Sequence, residues 1–186
     1  MIFIPTSLAG ACLIDLKKLE DERGFFARGY CFEEMKAHGL VPQVVQSNVS
    51  FNWKKATLRG MHYQVLPYGE TKLVRCTRGA IYDVIIDLRP ESKTFRQWIG
   101  VELTEENYRM LYVPERFAHG FQTLADRTEV TYHVSEFYTP QAEQGIRYND
   151  PAFNIRWPLE IEVISPKDRS WPNFSDKSAA IEEKRI

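Results

Sequence analysis

Leu58-Arg59-Gly60-Met61-His62-Tyr63-Gln64 sets a histidine in a short extended run, with an arginine just before it and two more cations, Lys72 and Arg75, soon after. Histidine takes or gives a proton near neutral pH. A histidine among cations suits the removal of a proton from an anionic substrate. The same ring also reads as a core histidine whose nitrogens are satisfied by hydrogen bonds, so the rest of the chain has to decide.

Other residues carry chemical potential. Asp83 and Asp87 lie four apart in an otherwise apolar run and share one face of a strand. A carboxylate facing an interior is costly unless paired or solvated, so that face either lines a polar cavity or opens to water. Pro114-Glu115-Arg116-Phe117-Ala118-His119-Gly120-Phe121 places a second histidine at a strand start, and its proline and histidine resemble the second half of the cupin metal motif. The first half, an H-x-H pair with a nearby carboxylate, is missing. His38 falls in an expected helix and His133 beside Tyr132, neither at ligand spacing, so no bound metal and no cofactor are expected. Tyr132 alternates with Val130 and Val134 and reads, by itself, as a core tyrosine tied to backbone. Lys167-Asp168, after Ser165-Pro166, reads alone as a solvated pair in a loop.

These residues need a scaffold. A strand over residues 11–16 leads to the turn Asp21-Glu22-Arg23-Gly24, and a helix is expected over 32–38 with Gly39 as its stop. Short apolar stretches follow at 41–46, 56–64, 72–77, 81–88, 97–103, 109–113, 121–124 and 129–134, rich in β-branched and aromatic residues. Arg78-Gly79, Arg89-Pro90 and Ala125-Asp126 mark turns between them. Many short strands with few helices predict an all-β jelly-roll barrel with a few short peripheral helices. Prolines at 140, 151, 158, 166 and 172, with Trp157 and Trp171, predict an irregular C-terminal wrap, and the last ten or so residues read as a polar helix or tail.

The totals exclude several classes. A chain of 186 residues with net charge -1 is expected to form one domain over 1–186 with a sizeable core. Basic residues are interspersed with acids, so no nucleic-acid partner is expected. No apolar run approaches the ~20 residues of a membrane span, and no leader pattern precedes the first strand. Cys12, Cys31 and Cys76 show no close pair, which fits reduced, structurally incidental thiols in a cytoplasmic protein.

In order along the chain stand Asp21-Glu22-Arg23-Gly24-Phe25-Phe26, Gln46-Ser47-Asn48, the segment around His62, Lys72-Leu73-Val74-Arg75, Asp83 with Asp87-Leu88-Arg89, the segment ending His119-Gly120-Phe121, Tyr132 and Tyr138, Asn149-Asp150-Pro151, and Ser165-Pro166-Lys167-Asp168. Together they resemble the dTDP-4-dehydrorhamnose 3,5-epimerase family, the RmlC-type cupins, over residues 16–172. The resemblance implies a nucleotide-diphosphate 4-keto-6-deoxyhexose substrate whose ketone acidifies the hydrogens on C3 and C5. It implies His62 as base, Asp168 as its orienting carboxylate, Lys72 as stabiliser of the enolate oxygen, and Tyr132 as acid on the opposite face. Arg23, Gln46, Asn48, Arg59 and His119 match nucleotide- and sugar-binding positions, Glu143 and Lys167 match further contact positions, and Phe26 would lie on the base or sugar. A homodimer that shares strands and completes each site is implied as well.

Two positions depart from the family. Arg28 stands where glutamate is common, and arginine only donates hydrogen bonds. A base with an acceptor there, such as cytosine, would suit it better than thymine, unless Arg28 turns to a phosphate or a surface partner. Arg116 replaces the usual glycine before Phe117, which would narrow or recharge the mouth of the site. The expected activity is inversion at C3 and C5 in deoxysugar (rhamnose-type) biosynthesis. The alternatives are epimerisation at one carbon, a CDP-linked sugar, a metal-dependent cupin, or a cupin that only binds a nucleotide sugar.

Overall fold

Three apolar clusters explain how the chain folds, and each joins a sheet to what covers it. The computed structural model describes residues 1–175, so the expected C-terminal tail lies outside the described residues. The strands are β1 (Ile2–Pro5), β2 (Cys12–Asp15), β3 (Leu19–Asp21), β4 (Gly24–Phe26), β5 (Gln46–Asn52), β6 (Thr57–Gln64) and β7 (Lys72–Arg78). They continue as β8 (Ala80–Asp87), β9 (Trp98–Thr104), β10 (Met110–Val113), β11 (Phe117–Thr123), β12 (Thr128–Val134), β13 (Glu143–Gly145) and β14 (Val163–Ile164). Two short helices are α1 (Phe32–Ala37) and α2 (Pro166–Ser170).

One sheet has the order β1-β2-β10-β7-β12-β5 and the other β13-β6-β11-β8-β9, with β14 parallel to β6 and β3-β4 a separate hairpin. Their inner faces meet in a cluster that includes Val74, Leu111 and Val130 from the first sheet and Ile81, Ile85 and Phe121 from the second. Burying each such side chain contributes roughly 1.5–3 kcal/mol. The outer face of the second sheet is covered by the C-terminal wrap, where Met61, Val84 and Ile86 meet Ile146, Phe153 and Trp157. The outer face of the first is covered by α1, with Ile14 and Leu73 against Met35. This is a jelly-roll barrel of the expected class.

Most strands lie close to where the apolar runs predict them. The stretch at 41–46 does not: pairing begins only at Gln46, because Pro42 lacks an N–H and its carbonyl instead accepts the Tyr30 hydroxyl. β11 starts at Phe117, earlier than its apolar run suggests, because Arg116 at φ 62 turns the chain into the sheet. That backbone conformation favours glycine, and the Arg116 side chain pairs with Glu91 at 2.7 Å. β1, β3, β4, β13 and β14, and all of β5 beyond Gln46, lie outside the expected stretches. Asp83 and Asp87 do share a face, but it is closed to water, with both residues at 0% exposure. Asp87 is satisfied by Arg89, Ser92 and Thr94 at the end of β8. Burial opposes its charge, yet those donors hold its carboxyl below the usual range.

The three cysteines are unpaired. Burial pushes the Cys12 thiol up to about 11 and Cys76 up to about 12, which suits inert core thiols. Among the described residues no helix is long and apolar enough to cross a membrane.

Candidate active site

The first wall is built on β6, and its geometry depends on one extra residue. His119 pairs with His62 and Phe121 with Arg59, so two steps on β11 match three on β6. By simple alternation Arg59 and His62 would point to opposite faces. The bulge at Gly60 changes that parity, and both line the interior cleft. Gly60 has φ +120, and a Cβ there would stand 2.5 Å from Gly120 Cα; one on Gly120 would stand 2.6 Å from Met61 Sδ. Gly60→Ala is therefore expected to lower stability by at least about 2 kcal/mol, the scale of overpacking on a rigid backbone. Urea denaturation checks this; a midpoint equal to wild type would mean the strand spacing is not fixed by these glycines.

Asp168 reaches His62 from the far end of the chain. β14 runs parallel to Thr57 and Leu58 and delivers α2 beside β6. Ser165 caps α2 by accepting the Asp168 N–H at 3.0 Å, with Pro166 in the first turn. Lys167-Asp168, read alone as a solvated loop pair, is thus split by a helical turn: Lys167 faces out while Asp168 is buried. Asp168 Oδ1 lies 2.6 Å from His62 Nε2, and Oδ2 accepts the Gly60 N–H at 3.3 Å. Nδ1 is the ring nitrogen left for a substrate. Trp171 sets its ring edge-on to His62, at 6.2 Å between centroids.

Burial works against the Asp168 charge, but hydrogen bonding and attraction from His62, with the Gly60 N–H and Ser165, bring its carboxyl below the usual value. Its stabilising contribution is therefore present above the ordinary carboxylate range and is lost as pH falls through the depressed folded value. Asp168→Asn is expected to cost about 1.5–3 kcal/mol at neutral pH, the scale of a hydrogen bond to a charged group. Denaturation curves for both proteins should converge in acid. A gap that stays constant down to pH ~2, below the ordinary carboxylate range, would contradict the assignment.

The second wall comes from the opposite sheet, from Lys72 on β7 and Tyr132 on β12. His62, Lys72 and Tyr132 line both of two adjoining lobes, of about 380 and 460 Å³. That is the size range of small-molecule sites. Gln46, Asn48, Gln64, Glu70, Tyr138 and Glu143 shape the first lobe. Ser50, Phe51, Arg59, His119 and Asp168 shape the second. Tyr132 is not the core tyrosine tied to backbone that its alternation suggests. Burial, then Glu70, raise its hydroxyl above the usual phenol value, while Arg59 opposes them.

The polar residues are held in place. His119 Nε2 lies 2.7 Å from buried Asp83 Oδ1, so the two side chains singled out separately in the sequence form one pair. Arg59 donates to Asn52 Oδ1 at 2.7 Å. Gln46 accepts the Tyr138 N–H at 2.6 Å, and Glu143 receives both the Tyr138 hydroxyl and the Lys167 ammonium. Lys167 is mostly exposed, at the rim. Arg23, Phe26 and Arg28 stand apart: Arg23 pairs with Asp21 on the β3-β4 turn, Phe26 is 70% exposed, and Arg28 pairs with Glu34 at 2.9 Å beside a different depression. Glu70, Trp171 and the Gly60–Gly120 contact escaped the sequence reading. Among the described residues no three His, Cys, Asp or Glu gather as a metal-binding group.

An imidazole–carboxylate pair on one wall of a jelly-roll cleft, with a phenol on the other, defines an acid–base site suited to moving protons at carbon. A family model described as dTDP-4-dehydrorhamnose 3,5-epimerase matches residues 5–176, and the chain belongs to that family. It is 42% identical over 179 residues to the dTDP-4-dehydrorhamnose 3,5-epimerase of Shigella flexneri, covering 95% of this chain and 97% of that one. The Bacillus anthracis dTDP-4-dehydrorhamnose 3,5-epimerase, solved with TDP and PPi bound, superposes with TM-score 0.89 at 41% identity, covering 93% of this chain and 99% of its own. A 3'-monoepimerase from Streptomyces bikiniensis, in complex with dTDP-quinovose, reaches TM-score 0.83 at 31% identity, covering 97% and 89%.

Proposed function

We propose that this chain is an epimerase of a dTDP-linked 4-keto-6-deoxyhexose and inverts C3 and C5 through an enolate, with the whole chain acting as one domain in the cytoplasm. The observation that carries the reading is the opposition of His62 and Tyr132 across one cleft. A base alone exchanges a proton on one face and regenerates the starting sugar. A base and an acid on opposite walls turn exchange into inversion.

In this mechanism His62 Nδ1 takes the proton from C3 or C5, and Asp168 supports the imidazolium that forms. Lys72 stabilises the charge that gathers on the C4 oxygen, a preorganised interaction in a site sheltered from water. Tyr132 delivers a proton to the other face. Arg59 and His119 make the second lobe suited to the diphosphate, since arginine's planar fork meets two phosphate oxygens. Gln46, Asn48 and Glu143 offer hydrogen bonds to the sugar and nucleotide from the first lobe, with Lys167 at its rim.

Arg23, Phe26 and Arg28 would join such a site from a second copy. The β3-β4 hairpin that carries Arg23 and Phe26 is wholly exposed, and Leu19 and Phe26 present apolar surface at 61% and 70% exposure. A homodimer that places each hairpin at the partner's cleft would cover that surface and complete both sites. Sedimentation of the protein at micromolar concentration should give twice the chain mass.

A second reading, inversion at one carbon only, is supported by the likeness to the 3'-monoepimerase. NMR in deuterated water with dTDP-4-keto-6-deoxyglucose, and in parallel its CDP counterpart, decides between them. Deuterium at C3 and C5 with inverted product is expected. Label at one carbon would make the chain a mono-epimerase, faster turnover of the CDP sugar would give Arg28 a role in base choice, and no label with either would overturn the reading.

A further inference from the structure

Glu70 sits in the loop ahead of β7, and its Oε1 lies 3.0 Å from Lys72 Nζ. The two side chains are only 12% and 9% exposed, and both face the lobe that holds Tyr132. Little solvent screens a carboxylate in that position, so its charge is felt by every neighbour. Tyr132 is surrounded by Arg59 and His62 from β6, Lys72 from β7 and His119 from β11. Asp168 from α2 and Glu143 from β13 add carboxyl groups to that lining. Glu70 lines the same lobe as Tyr132, and together with burial it raises the phenol above its usual value, opposed by Arg59.

Resting on the epimerase reading above, we propose that Glu70 is a positioning residue: its carboxylate anchors Lys72 and sets the field in which Tyr132 gives up its proton. An ammonium without a counter-charge beside Tyr132 would favour the phenolate, and a phenolate has no proton to give. With Glu70 in place the ammonium is balanced until the C4 oxygen develops charge. Lys72 is then shared between the carboxylate and that oxygen. At that moment the Tyr132 O–H bond breaks, a C–H bond forms at the sugar carbon, and the negative charge passes from enolate to phenolate. The imidazolium of His62 and the phenolate then re-equilibrate with solvent, which resets both groups.

The test is an ultraviolet titration of Tyr132 in the purified protein, obtained by subtracting the matching Tyr132→Phe variant, in wild type and in Glu70→Gln. The midpoint is expected to fall by about one pH unit in Glu70→Gln, a tenfold change in ionisation. The alkaline limb of kcat for inversion should move with it while KM stays within about twofold, since one pH unit in a general acid appears in the protonated fraction. Glu70→Asp, which keeps the charge, should hold the wild-type midpoint. A midpoint that does not move in Glu70→Gln, or one that moves as far in Glu70→Asp, overturns the proposal. The titration needs no substrate, so a wild-type protein inert toward the sugar would sink the epimerase reading and leave the Glu70–Tyr132 coupling separately measured.

Discussion

His62→Ala is expected to abolish deuterium incorporation at both C3 and C5 while the nucleoside diphosphate still binds. The expectation follows from the placement of one ring. His62 lines both lobes of the cleft, and its Nε2 is committed to Asp168 at 2.6 Å, leaving Nδ1 to take the proton. The ketone at C4 acidifies the hydrogens on both adjacent carbons by resonance, so a single base serves both and its loss removes both exchanges together. Positioned general bases contribute roughly 10²- to 10⁴-fold, and a loss in that range or larger is expected. Binding persists because Arg59 and His119, which line the second lobe, are held by Asn52 and Asp83 and not by His62. Calorimetry with dTDP beside the NMR exchange assay checks both halves. Full exchange in the variant would remove His62 as the base; exchange lost at only one carbon would require a second base.

Tyr132→Phe separates the two half-reactions. Exchange from the His62 face needs no phenol, so it should survive within about tenfold, a small loss beside that of deleting a positioned acid or base. Inversion should fall by about 10²-fold or more, since a missing general acid leaves water to protonate the opposite face. Burial and Glu70 keep the hydroxyl protonated to higher pH than an ordinary phenol, so the wild-type inversion rate should hold further into alkali than a phenol's usual titration allows. The measurement is the ratio of inverted product to deuterium incorporated, with a reductase trapping the product. An unchanged ratio would take Tyr132 out of the mechanism.

The barrel was legible because its central strands are dense in β-branched and apolar residues. β6, β7, β8 and β12 sit where those runs place them. Elements made by backbone chemistry were harder to see. The strand expected at 41–46 fails at Pro42, and β11 opens early on the left-handed turn at Arg116. α2 carries its own signal, Ser165 as cap and Pro166 behind it, but five residues are too few for periodicity to speak. His62 stood out by the cations around it, whereas the roles of Lys72, Tyr132 and Asp168 entered through the order of motifs, not through spacing. The bulge at Gly60 shows why spacing alone misleads: it reverses the parity on which any inside–outside reading of Arg59 and His62 depends. Glu70 stayed hidden because a charge in a Gly-Glu-Thr stretch reads as a solvated turn, and only the fold puts it beside Lys72.

The His62–Asp168 pair joins residues 106 positions apart, and its carboxylate arrives on α2, the last helix described. During synthesis the barrel strands and the histidine leave the ribosome well before the segment that supplies the counter-ion. The inner core of the barrel draws on no residue of that segment, yet β14 must lie along β6 before Asp168 can reach His62. Unfolding confined to the C-terminal wrap would therefore silence the base while leaving the inner core of the barrel in place.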